Sequence, residues 1–115
     1  MSNKNIYEFS DKISENYIQY EKDGKNVWIN NYYVDENNGK LFTMMLKESF
    51  SQMKKKGCEY HFQIVDQNEW ISSLSKIKGW KFNSKYDDQN VVIYCHIDDA
   101  PFCIMKGILG DDFLE

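Results

Sequence analysis

Cysteine and histidine are the residues best suited to covalent or metal chemistry, and their spacing in this chain argues against both. Cys58, Cys95 and Cys103 are odd in number. None of them stands at metal-binding spacing from another, so no metal site is expected. Cys95 and His96 are neighbours in a run that reads as a strand. Their side chains therefore point to opposite faces and cannot work as nucleophile and base. Cys58 and Cys95 read as small buried hydrophobes. His61 alternates with core residues in Tyr60-His61-Phe62-Gln63-Ile64-Val65 and takes a structural role. Lys54-Lys55-Lys56 is the sole basic cluster. It falls at the end of a predicted helix, where cations complement the helix dipole. All 14 basic residues are Lys and the formal charge is −4, so a nucleic-acid partner is not expected.

The elements that position these residues follow from turn signals and periodicity. Asn5 to Phe9 is a short strand candidate. Tyr17-Ile18-Gln19-Tyr20 and Val27-Trp28-Ile29 flank Asp23-Gly24, which predicts a hairpin through a type I′ turn. Asn37-Asn38-Gly39 breaks the chain. A helix is predicted over Lys40–Lys55, with Leu41, Phe42, Met45, Leu46, Ser49, Phe50 and Met53 on one stripe. A strand over Glu59–Val65 follows, then a helix over Gln67–Ile77 with Asp66 as its cap. Lys81–Tyr86 and Val91–Ile97 read as an antiparallel pair. The chain has 115 residues, which suits one domain. No apolar run approaches the roughly 20 residues of a membrane span, and Met1–Asn5 carries no signal-peptide core. A protein that is not secreted and needs no membrane is expected.

The order ββ(β)-α-β-α-β-β-tail predicts an α/β (α+β) domain: a mixed, mostly antiparallel sheet of five to six strands with two main helices. The run Val65…Asn68…Ile71…Leu74…Gly79-Trp80 resembles the "V…N…A..LY…GF" segment of the GNAT superfamily, the acyl-CoA N-acyltransferases. The likeness covers residues 16 to 97 and implies a GNAT-like domain over 1–99, without room for the family's N-terminal helices. It also implies where chemistry would sit. Ser75 occupies the position at which the family carries a Tyr that protonates the departing thiolate. Tyr94 and Tyr86 are the substitutes on neighbouring strands, and Asp35 and Glu36 the candidate bases. The family's phosphate loop corresponds to Glu36-Asn37-Asn38-Gly39-Lys40-Leu41, where only Gly39 matches. If acetyl-CoA is bound, the residues implicated are Tyr33, Val34, Gly39, Lys40, Leu41 and Asn68.

Two departures from the family pattern favour a catalytically inactive GNAT-like interaction protein, with no cofactor. Small GNAT-like virion proteins of short-tailed bacteriophages are similar to it, which implies a cytoplasmic or virion location. The segment 100–115 is apolar for a terminus, and Gly107 and Gly110 argue against a long regular helix. It is expected to dock on its own core or on a protein partner through Phe102, Ile104, Met105, Ile108, Leu109, Phe113 and Leu114. The alternative is an acetyl-CoA-dependent N-acetyltransferase, which requires a splay between the strands ending at Val34 and Val65. An unrelated small α/β binding module is the third reading. An antiparallel relation between the strands before and after the long helix would favour it.

Overall fold

Asp23-Gly24 reverses the chain as the sequence predicts, but by a different turn. The computed structural model describes residues 5–110, with the side chains of Glu36 and Leu109 excepted. In it Asp23 pairs with Asn26, so the two loop residues are Gly24 and Lys25. Gly24 has φ +61°, and no described non-glycine residue has positive φ. A type I′ turn needs positive φ at both central residues. A type II′ turn needs it at the first alone, which is where Gly24 sits. The turn joins β2 (Tyr17–Asp23) to β3 (Asn26–Tyr33), and β1 (Asn5–Ser10) lies antiparallel on the outer edge of β2.

A crossover through α1 (Gly39–Lys55) returns the chain to β4 (Tyr60–Asp66), parallel to β3. The antiparallel relation that would favour the unrelated-module reading is not the one found. A short α2 (Gln67–Ser72) leads to the antiparallel pair β5 (Lys81–Lys85) and β6 (Asn90–His96). The sheet order is β1-β2-β3-β4-β6-β5. No helix precedes β2 among the described residues. No helix among them is long and apolar enough to cross a membrane.

Register assigns the faces. Val27, His61 and Cys95 are cross-strand partners and fully buried. Their face carries α1, whose Phe42, Leu46, Ser49, Phe50 and Met53 are buried at helical spacing. Tyr20 bonds Ser49 across this interface at 2.7 Å. Burial pushes the Tyr20 phenol up, so it stays a neutral partner there. The other face carries Trp28, Phe62 and Tyr94, stacked in line at 5.1 and 5.3 Å between ring centroids.

Two helices differ from expectation. The predicted Gln67–Ile77 helix stops at Ser72, and a 3-10 turn follows over Leu74–Lys76. Ser73 and Ser75 hydroxyls donate back to the carbonyls of Glu69 and Ile71, the local competition that weakens helices at serine. The tail is helical after all: α3 spans Ala100–Leu109, with Pro101 in its first turn. Gly107 does not break it, because the helix packs against Leu74 there; an added Cβ would lie 3.1 Å from Leu74 Cδ2. Ala100, Cys103, Ile104 and Met105 belong to the main core. Ile104 and Met105 are therefore unavailable to a partner. Ile108 packs partly against the core, and Phe102 is exposed. Leu109, Phe113 and Leu114, expected as partner contacts, fall outside the described residues or side chains.

His61 sits where α1, β4 and Trp80 meet, edge-on to Phe50 at 5.4 Å. Its Nε2 pairs with Gln63 Oε1 at 2.8 Å. Burial lowers its pKa from 6.5 to about 4. The unfolded chain takes up this proton below its ordinary value while the folded ring does not. Stability is thus fully present above pH 6.5 and is lost as pH falls from 6.5 towards 4. Urea unfolding should show about 2 kcal/mol less stability at pH 5 than at pH 7 from this residue. His61→Phe, which keeps the ring and removes the titration, should flatten that slope; an unchanged slope would assign it elsewhere.

Candidate functional site

A bulge on β3 creates the main cavity. Gln19 pairs with Asn31 and Tyr20 with Ile29, which leaves Asn30 as an extra residue on β3. A bulge bends its strand and increases the local twist. β3 and β4 accordingly pair only at Asn26↔Tyr60, Val27↔His61 and Trp28↔Phe62. Beyond that point β3 runs on to Tyr33 and β4 to Asp66 without meeting. The stacked rings of Trp28 and Phe62 mark the apex. The gap past them stays open as a cleft of about 660 Å3, within the usual range for small-molecule sites.

The cleft has a polar rim and an apolar floor. Asn31, Tyr32, Gln63, Asp66 and Glu69 line the rim; Leu74, Trp80 and Ile104 line the floor. Asp66 is committed to capping α2, accepting from the backbone N–H groups of Asn68 at 2.8 Å and Glu69 at 3.2 Å. Glu69 and Tyr32 are exposed, Tyr32 by 48%. Trp80 is 7% exposed, and its indole N–H has no partner among the described residues. Gly79 beside it holds φ +112°, and a Cβ there would lie 2.7 Å from Cys103 Sγ. Only glycine lets β5 begin this close to α3.

The residues expected to do chemistry do not gather here. Tyr94 lies on the sheet face opposite α1, stacked on Phe62, and does not line the cleft. Tyr86 is exposed in the β5–β6 turn, its N–H bonded to Asn90 O. Ser75 is exposed and bonds the Ile71 carbonyl. Tyr33 and Lys40 are exposed, and Val34 packs partly on the core. Leu41 lines a separate depression with Ile13 and Met44. Asn68 contributes a backbone N–H to the Asp66 cap and lies outside the cleft lining. All three thiols are buried; burial raises Cys58, and the hydrogen bond between Cys95 and Cys103 raises Cys95 and lowers Cys103, which lines the cleft. Among the described residues no cluster of His, Cys, Asp or Glu is placed to hold a metal. The bulge was the missing signal. Its trace in the sequence is Asn30-Asn31, two residues of low strand propensity inside a β-prone run.

The β3–α1 junction is held shut by its own polar groups. Asn16, 1% exposed, accepts from Asp35 N at 2.6 Å and donates from Nδ2 to Asn38 O at 3.1 Å. The Asp35 carboxylate accepts from Asn37 N at 3.0 Å and from Asn38 Nδ2 at 2.8 Å. Asn38 N donates to Asp35 O at 2.8 Å. Gly39 has ordinary helical dihedrals, φ −60° and ψ −35°.

No protein-family model matches the chain, and no curated protein does. Solved structures do match. A Klebsiella pneumoniae protein assigned to the acyl-CoA N-acyltransferases aligns at TM-score 0.57 and 10% identity, over 80% of this chain and 72% of that one. The PaiA N-acetyltransferase of Thermoplasma acidophilum, solved in complex with coenzyme A, aligns at TM-score 0.59 and 20% identity, over 79% of this chain. This chain spans 60% of that protein's length. A GNAT-family acetyltransferase of Staphylococcus aureus aligns at TM-score 0.54 and 14% identity, over 84% and 69%. The chain thus has the GNAT acyltransferase fold: one α+β domain with a six-stranded, mostly antiparallel sheet.

Asn16→Ala should cost about 2–3 kcal/mol in urea unfolding, because it leaves buried backbone groups of the junction without partners. A loss below about 0.5 kcal/mol would mean that water replaces both bonds.

Proposed function

We propose that the chain is an N-acyltransferase that takes an acyl thioester in the β3–β4 cleft and passes the acyl group to an amine. The carrying observation is the parting of β3 from β4 after three register pairs. It is the splay that the transferase alternative requires. The fold neighbours agree with this class, and one of them is solved in complex with coenzyme A.

In this reaction the amine nitrogen bonds the carbonyl carbon and the C–S bond breaks. The amine's proton passes to a base, and the leaving thiolate recovers a proton to depart as a thiol. Of the rim groups, Glu69 is the carboxylate not committed as a cap, and we assign it the base. Tyr32 is the phenol on the opposite wall, and we assign it the acid. The acidic rim of Asp66 and Glu69 suits a cationic amine acceptor.

A second reading keeps the fold without catalysis, as an interaction module with a protein partner. It is favoured by Ser75, which sits outside the cleft with its hydroxyl on the Ile71 carbonyl. The two readings part on one assay. Purified protein, acetyl thioester and a panel of primary amines should release thiol. Glu69→Gln and Tyr32→Phe should each lower kcat by about 10²-fold while leaving the urea midpoint in place, since both side chains are exposed. Absence of thiol release, together with no thioester binding at millimolar concentration, would favour the module.

A further inference from the structure

The cleft and the β3–α1 junction disagree about the donor. The cleft offers room for the acyl-bearing arm of a thioester, while at the junction the N–H groups of Asp35, Asn37 and Asn38 are already bonded within the loop. Resting on the acyltransferase reading, we propose that the donor is recognised through its acyl-pantetheine arm alone. An attached nucleotide adds nothing to affinity.

The first ground is the hydrogen-bond state of the junction. An anion-binding loop needs free N–H groups converging on one point. Here Asp35 N is held by Asn16 Oδ1 at 2.6 Å, Asn37 N by Asp35 Oδ1 at 3.0 Å, and Asn38 N by Asp35 O at 2.8 Å. The loop already contains its anion, the carboxylate of Asp35, which also takes Asn38 Nδ2 at 2.8 Å. A phosphate would have to displace that carboxylate and then remain beside it as a like charge. Burying Asn16 to 1% exposure fixes the arrangement from behind.

Charge is the second ground. The sequence has no Arg at all and a formal charge of −4, so the bidentate cation best suited to phosphate is missing. Lys40, exposed in the first turn of α1, is the one cation in the junction segment 35–41. The cleft rim adds Asp66 and Glu69.

The test compares donors that share the arm and differ in what is attached. Calorimetry on the full chain would measure S-acetyl-pantetheine, acetyl-CoA and an acetylated holo acyl carrier protein. The expected result is a Kd for acetyl-CoA within threefold of that for S-acetyl-pantetheine. Binding of the carrier protein within threefold of S-acetyl-pantetheine would likewise support the proposal, whereas tenfold tighter binding would overturn it by placing recognition outside the arm. Asp35→Asn keeps the side-chain oxygen and removes the charge, and should shift the preference towards acetyl-CoA by several-fold. Wild-type binding of acetyl-CoA tenfold or more tighter than S-acetyl-pantetheine would overturn the proposal and leave the acyltransferase reading standing. Binding of no donor would overturn both.

Discussion

The extra residue at Asn30 governs the rest of this molecule. β2 and β3 are bound by register on both sides of it, so the bend it introduces has to be taken up on β3's other edge. There β3 leaves β4, and the sheet divides into β1-β2-β3 and β4-β6-β5. Each half closes its own antiparallel ladder, and the helical layer of α1 and α3 bridges them on one face. A fully paired sheet would have no cavity between its central strands. The cleft exists because one backbone irregularity is kept and its cost is met by the packing around Tyr20, Phe50 and His61.

Much of the fold was legible because local chemistry and tertiary demand agree. The stripe through Phe42, Leu46, Phe50 and Met53 predicts α1 to within a residue. Asp66 announces α2 and caps it. Where the levels conflict, the sequence misleads. Gly107 weighs against a helix by propensity, yet Leu74 requires a small residue at that point and the packing wins. Gly24 signals a hairpin correctly, but the register that places it first in the loop is set by cross-strand pairing, not by Asp23.

The candidate site was far less legible, and the reason is geometric. Tyr94 and Tyr86 are phenols near the right place in the chain, but alternation sends Tyr94 to the face opposite α1 and the turn carries Tyr86 out to solvent. Tyr32 and Glu69 become neighbours of one cleft only after the bulge swings the end of β3 aside. Asn16 is equally silent in sequence. A single Asn before a strand gives no hint that it reaches both Asp35 and Asn38. Its meaning lies entirely in contacts made across the fold.

The stacked pair Trp28–Phe62, at the apex of the wedge, has a mechanical consequence. The two half-sheets are levers joined at a short seam of three residue pairs. A small rotation about that seam barely moves the rings at the pivot. The same rotation is multiplied along the arms, and it is greatest at Tyr32 on one side and Asp66 on the other. Neither half has to break an internal strand pairing for the mouth to change width. The pivot is aromatic and the mouth is polar, so the width of the cleft and the chemistry of its rim are set by separate residues.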